Sequence, residues 1–231
     1  MTADAGLVSA VRAALADAAD PAKAGPMQAY MKSDMPFRGV PTPLRRRLSR
    51  AVFAAHPPTE RSAWVATIRE LWDTAAYREE RYVAIELTGH REARDWQDPG
   101  TLPLYEHLIV TGAWWDYVDD LAIRRVGPIL RAHPAETTPV LRAWAHDEDR
   151  WRRRTAVIAQ IGAKAATDTD LLADTITANL DDRDFFLRKG IGWALREHAK
   201  TDPYWVRTFV ATHIKRLSPL SRREALKHIG S

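Results

Sequence analysis

Arg183-Asp-Phe-Phe-Leu-Arg-Lys-Gly-Ile-Gly-Trp-Ala-Leu-Arg-Glu-His-Ala199 decides the fold class of this chain. Leu187, Ile191, Ala194, Leu195 and His198 recur at helical spacing and form one apolar stripe. Lys189, Trp193 and Arg196 recur at i, i+4 and i+7 on a different face. The stretch reads as an amphipathic helix that buries one side and presents another. Outward from it the same period returns. Trp64, Ile68, Leu71 and Trp72 carry it within 59–73, and Val118, Leu121, Ala122 and Ile129 within 116–130. Thr42-Pro43, Thr138-Pro139, Asp202-Pro203 and Ser218-Pro219 each read as an N-cap followed by proline at the first helical position. Ser221 and Glu224 add a capping box just inside the last of these starts.

Helices are expected over 4–18, 22–33, 43–55, 60–73, 77–90, 100–111, 114–131, 134–145, 150–163, 168–179, 183–199, 203–214 and 219–229. Strand signals are nearly absent. Helix pairs recur at roughly 35–40 residues, a period that suits a HEAT-like α-solenoid better than an irregular all-α globule. The fold class expected is therefore all-α, a helical-repeat solenoid. No linker or low-complexity tract interrupts the chain, so residues 1–231 are read as one unit.

The 231 residues and 26.1 kDa suit one domain, or at most two small ones. Cysteine is absent, which removes disulfides, thiol nucleophiles and Cys-ligated metals. No apolar run approaches the ~18–20 residues of a membrane helix. The N-terminal twenty residues carry Leu7, Val8, Val11 and Leu15 on one helical side but lack the apolar stretch of a secretory signal. A cytoplasmic protein is expected. The net charge is +4, and seven of the 34 basic residues are lysine and 27 arginine. Arginine presents a planar fork to phosphates and stacks on aromatic faces. An Ala- and Arg-rich chain is what a GC-rich genome encodes, and that bias accounts for most of the count; the clustering is the more informative feature.

Three constellations could carry chemistry. In Thr111-Gly-Ala-Trp-Trp-Asp-Tyr-Val-Asp-Asp120, Trp115 and Asp119 are four apart and share a helix face. An aromatic plate beside a carboxylate suits a planar cation. Taken alone, a Trp-Trp-Asp string fits core tryptophans and capping acids better. In the opening helix, Trp193 lies between Lys189 and Arg196, which suits a phosphate backbone with a base stacked beside it. It suits equally a tryptophan shielded by snorkelling side chains. Arginines crowd the first turns of three helices, at Arg150-Trp-Arg-Arg-Arg154, at Arg45, Arg46, Arg47 and Arg50, and at Arg222, Arg223 and Lys227. Helix N-termini attract anions, so the three clusters suggest a basic surface that neutralises phosphates. No P-loop, dinucleotide fingerprint, HExxH or GxSxG occurs. The eight histidines show no ligand-like pairing, and neither a metal nor an organic cofactor is expected.

Several strings in chain order resemble one family. They are Pro26-Met-Gln-Ala-Tyr-Met-Lys32, Gly39-Val-Pro-Thr-Pro43, Leu108-Ile-Val-Thr-Gly-Ala-Trp-Trp-Asp-Tyr-Val-Asp119, Ile191-Gly-Trp-Ala-Leu-Arg-Glu-His-Ala-Lys200 and Ser218-Pro-Leu-Ser-Arg-Arg-Glu-Ala-Leu-Lys-His228. Together they resemble the HEAT-repeat alkylpurine DNA glycosylases of the AlkD type, over nearly the whole chain. The resemblance implies a curved solenoid that holds duplex DNA in a basic concave face. It implies hydrolysis of the N-glycosidic bond of purines alkylated at N3 or N7, such as 3-methyladenine and 7-methylguanine, leaving an abasic site. It puts the catalytic residues at Trp115, Asp119 and Trp193, and DNA contacts at Tyr30, Thr42, Arg46, Arg154 and Arg196; Lys189 joins these from the reading of the helix itself. A monomer acting on double-stranded DNA, without metal or membrane, follows. Where the family carries a lysine two turns after the Arg154 position, this chain has Gly162, with Lys164 nearby. The alternatives are a HEAT-like scaffold for a protein partner and a catalytically silent binder of DNA structures.

Overall fold

The computed structural model describes residues 2–229. Among them every regular element is helical, in the order α1 (Ala5–Asp17), α2 (Pro21–Met31), α3 (Thr42–Ala55), α4 (Arg61–Asp73), α5 (Arg78–Thr88), α6 (Leu102–Gly112), α7 (Trp115–Leu121), α8 (Gly127–Ala132), α9 (Pro134–Trp144), α10 (Arg150–Ile158), α11 (Thr169–Thr177), α12 (Phe185–His198), α13 (Pro203–Thr212) and α14 (Pro219–Ala225). Short 3₁₀ turns fill Arg91–Trp96, Pro99–Thr101 and Lys164–Ala166. The chain divides into two compact units, Met1–Trp96 and Gln97–Ser231. No helix of the described residues is long and apolar enough to cross a membrane.

The first unit is built on the stripe of α1. Leu7, Val8, Val11 and Leu15 are buried with Phe53 of α3, Trp64, Ile68, Leu71 and Trp72 of α4, and Val83 and Leu87 of α5. Each fully buried large apolar side chain is worth about 1.5–3 kcal/mol relative to exposure. Trp64 also satisfies its indole N–H on the Leu87 carbonyl at 3.0 Å. In the second unit the stripe of α12, Ile191, Ala194 and Leu195, packs with Val157 and Ile158 of α10, Leu172 and Ile176 of α11, Val206, Phe209 and Val210 of α13, and Ala225 of α14.

The helix starts differ from expectation in an instructive way. Asp202 and Ser218 are N-caps, accepting from the backbone N–H of Trp205 at 2.8 Å and Ser221 at 3.0 Å. Thr42 is instead the first helical residue, behind Pro41, and makes no side-chain cap. Thr138-Pro139 lies inside α9, whose start is Pro134. Aspartates do most of the capping: Asp4, Asp20, Asp149, Asp168 and Asp184 each accept from the first turn of their helix. The expected box at Ser221 and Glu224 does not form. Ser221 bonds the Arg188 carbonyl at 2.8 Å, and Glu224 turns to α12.

The helix expected over 114–131 is continuous but not regular. Between α7 and α8 the Ala122–Val126 segment widens into a π turn. A methyl group on Gly127 would lie 2.2 Å from the Ala159 carbonyl at the end of α10, so α10 approaches this helix as closely as backbone allows. π turns of this kind collect at functional sites.

Candidate functional site

α7 brings Trp115 and Asp119 onto one face, both partly exposed, while Tyr117, Val118 and Leu121 take the buried side. The two adjacent tryptophans separate. Trp114, the N-cap residue, packs with Trp151 of α10 at 6.4 Å and Phe186 of α12 at 5.6 Å between ring centroids, and Trp151 meets Phe186 at 5.1 Å. This aromatic knot ties the starts of α7, α10 and α12 together and leaves Trp115 outside it.

The Asp119 carboxylate is held by Arg154 of α10 in a fork. Arg154 Nε donates to Oδ1 at 2.7 Å and Nη2 to Oδ2 at 2.8 Å. The remaining arm, Nη1, donates to the Phe186 carbonyl of α12. Arg154 is only 4% exposed and the Asp119 side chain 15%. Arg154, which the resemblance places among the DNA contacts, is buried here on Asp119. The face of α10 that it shares with Arg150 turns inward at its second turn, against α7 and α12, and the guanidinium serves a carboxylate inside the protein. Burial raises the Asp119 pKa above the ordinary carboxylate range; the Arg154 hydrogen bonds and charge oppose that rise, and Asp116 and Asp120 add to it.

α12 runs hard against this pair. A methyl group on Gly190 would sit 3.0 Å from Arg154 Nη1. Trp193 follows one turn later on the same side of the helix and is partly exposed. The second unit thus assembles a fork-held carboxylate with one tryptophan a turn away on α7 and another on the helix that the fork touches. An arginine fork in a sheltered site fixes the carboxylate's orientation and leaves its remaining lone pairs as a preorganised acceptor.

The basic clusters are less free than their spacing suggested. Arg150 pairs with Asp184 at 3.1 Å and lies over the Trp151 ring. Arg152 bridges Glu106 at 2.7 Å and Asp147 at 2.9 Å, and Arg153 reaches Asp182 at 3.0 Å. With Arg154 on Asp119, all four arginines of the run have carboxylate partners, so the run locks α10 in place rather than forming a solvated face. On α12, Lys189 Nζ donates to Glu224 Oε1 at 2.8 Å and Arg196 Nη1 to Oε2. Lys189 chiefly, with Arg196 and Lys227, holds the Glu224 pKa below the ordinary range. Arg222 and Arg223 are exposed, as are Gly162 and Lys164, and both of the latter have positive φ.

The first unit carries Tyr30, Thr42 and Arg46. Tyr30 closes α2 and is 79% exposed. Thr42 and Arg46, one turn apart at the start of α3, are also exposed. Their neighbour Arg45 is buried on Glu86 at 3.1 Å and over the Tyr82 ring. The loop between α2 and α3 is fastened by the wholly buried Glu79, whose carboxylate accepts from the backbone N–H of Arg38, Gly39 and Val40 at 3.0, 2.9 and 3.1 Å. Gly39 has φ 83°, and a methyl group there would lie 2.1 Å from the Asp20 carbonyl.

Glu224, Glu79 and the inward use of Arg154 were not read from the sequence. Each depends on a partner about 30 to 40 positions away, and no local period signals it.

The comparisons with known proteins agree with this architecture. A family model described as DNA alkylation repair enzyme matches residues 11–229. A solved structure of a predicted DNA alkylation repair enzyme from Enterococcus faecalis is similar, with 31% identity and a TM-score of 0.75, over 91% of this chain and 96% of that one. No curated protein matches the chain. The chain therefore belongs to the DNA alkylation repair enzyme family, and its role lies in DNA repair.

Proposed function

We propose that this chain is a DNA glycosylase that hydrolyses the N-glycosidic bond of cationic N3- and N7-alkylated purines in duplex DNA, with residues 1–231 acting as one unit and as a monomer. The observation that carries the reading is the Asp119 carboxylate, forked by the buried Arg154 within one helical turn of Trp115. Alkylation places a positive charge on the purine. When the C1′–N9 bond breaks, its electron pair passes to that ring, and the base leaves neutral. Positive charge then develops on the sugar, with oxocarbenium character.

Asp119 supplies the opposing charge. Arg154 occupies one lone-pair direction on each oxygen, which leaves the others for the developing sugar cation and for the attacking water. Water adds at C1′ and loses a proton to solvent or the carboxylate. Trp115 and Trp193 cover the deoxyribose and add cation–π attraction, about 0.5–2 kcal/mol each. Tyr30, Thr42 and Arg46 of the first unit and Arg154, Lys189 and Arg196 of the second contact the DNA. Because the lesion supplies its own leaving-group activation, a close-fitting base pocket is not required.

The test is release of free base from methylated duplex by wild type and by Asp119→Asn. The variant is expected to lose about 2–4 kcal/mol of transition-state stabilisation, the range for one preorganised electrostatic group. Its binding to undamaged duplex is expected to change little. Wild-type excision by the variant would make Asp119 a structural acid; no base release by wild type, with duplex bound, would favour the silent DNA binder.

A further inference from the structure

The cluster around Trp193 contains a member that the reaction above does not use. Lys189 and Arg196 stand one turn before and one turn after Trp193 on α12, roughly 10 Å apart along the helix at 1.5 Å per residue. One carboxylate, Glu224 of α14, accepts from both. It can do so because α14 crosses α12 at Gly192, where an added methyl group would lie 2.6 Å from Glu224 Cβ and 3.0 Å from the Ser221 carbonyl. Ser221 fastens the same crossing through its bond to the Arg188 carbonyl. The Glu224 side chain is 12% exposed, so the contact is built into the helix packing rather than made by a loose surface arm.

We propose that Glu224 is a positioning residue for a polyanionic strand at α12: it orients Lys189 and Arg196 on either side of Trp193 and limits their net charge to +1. A guanidinium bonded through one N–H keeps four others, and an ammonium keeps two. Both groups thus present remaining donors in fixed directions. Without Glu224 the two cations repel each other and extend into solvent, where they neutralise phosphates without regard to register. Affinity for undamaged duplex then rises while alignment of Trp193 on the sugar is lost. The alignment arm of this proposal rests on the glycosylase reading; the charge arm rests only on binding to duplex.

The experiment compares wild type, Glu224→Gln, Glu224→Asp and Lys189→Met/Glu224→Gln, all first checked for helical circular dichroism and melting. Plain duplex binding is measured across salt concentrations, and single-turnover base release from methylated duplex at saturating enzyme. Glu224→Gln is expected to steepen the salt slope by about one unit, since one more phosphate is neutralised. It is expected to slow excision about tenfold. Glu224→Asp, one methylene shorter, is expected to fall between. The double variant restores the net charge of +1, so its slope is expected to return to wild type while excision stays slow. An unchanged slope with wild-type excision in Glu224→Gln overturns the assignment. So does a parallel loss of binding, excision and melting temperature in Glu224→Gln and Glu224→Asp, which marks a merely structural ion pair. If Glu224→Gln does not fold, Glu224→Asp carries the same two readouts. Absence of base release by wild type overturns the glycosylase reading, and the plain-duplex slopes then decide the charge arm alone.

Discussion

At the scale of single residues, the Asp119–Arg154 pair sets the behaviour of the site. Its charges are sheltered on both sides, so breaking it by removing one partner is expensive. Arg154→Ala leaves a carboxylate without its fork and is expected to cost about 3–5 kcal/mol of stability, read by denaturant unfolding. Replacing both members with apolar side chains, Asp119→Leu with Arg154→Met, is expected to recover most of that loss and to show no excision. If Arg154→Ala unfolds like wild type, the fork is not formed in solution. Acidity gives a second test. In the proposed reaction the carboxylate is the active form, and burial raises its pKa, so excision is expected to fall by about tenfold per pH unit below a pKa higher than that of an ordinary aspartate. The pH–rate profile of single-turnover excision checks this, and a flat profile down to the ordinary aspartate range would contradict it. The pairing of Trp115 with Asp119 was legible in the sequence, because a four-residue spacing within one helix needs no tertiary information. The fork was not, because Arg154 looks identical in sequence whether its face turns to solvent or to α7.

At the scale of elements, two contacts carry more than their size suggests. Glu79 of α5 replaces a stretch of secondary structure by binding three consecutive backbone N–H groups of the loop between α2 and α3. Glu79→Gln keeps the shape but offers one acceptor oxygen where two are used. At least one buried N–H then faces an amide donor, at an expected cost of about 1–3 kcal/mol, measured by thermal or urea unfolding. A change below 0.5 kcal/mol would mean that the loop finds other partners. The second contact is the crossing of α14 over α12. Gly192→Ala inserts a methyl group against Glu224 Cβ and the Ser221 carbonyl and is expected to destabilise by about 1–3 kcal/mol, since backbone on the far side cannot yield. Helix existence was readable throughout, from apolar spacing and capping residues. Helix starts were less uniform: the helix expected over 134–145 does begin at Pro134, while Thr138-Pro139, which has the composition of a start, lies inside it.

At the scale of the whole molecule, the proposed reaction makes lesion charge the test of substrates. If the lesion's own charge activates the leaving group, 7-methylguanine and bulkier cationic N7 adducts are both expected to be excised from matched duplexes, and uracil is expected to resist. In that reaction Asp119 by itself is not expected to supply the activation that a neutral base lacks. Efficient uracil release would contradict the charge-dependent reaction, and rejection of every bulky cationic adduct would point to a tight base pocket. Plain-duplex affinity is expected to fall steeply with salt, chiefly through the exposed cations of α3 and α14, with the Glu224-paired Lys189 and Arg196 of α12 adding a net charge of +1.

Taken alone, the sequence determined the all-helical class, the buried stripes of α1, α4, α12 and the helix around α7 and α8, and the sharing of one face by Trp115 and Asp119. Those features depend on residues three or four positions apart, and helical geometry fixes their relation locally. The tertiary structure decided which arginines face inward, that Glu224 bridges the two cations around Trp193, and that Glu79 fastens the loop before α3. These depend on which helix lies across which. The opposite charges of these pairs meet only where burial of the apolar stripes brings their helices together, and a linear spacing carries no record of that crossing.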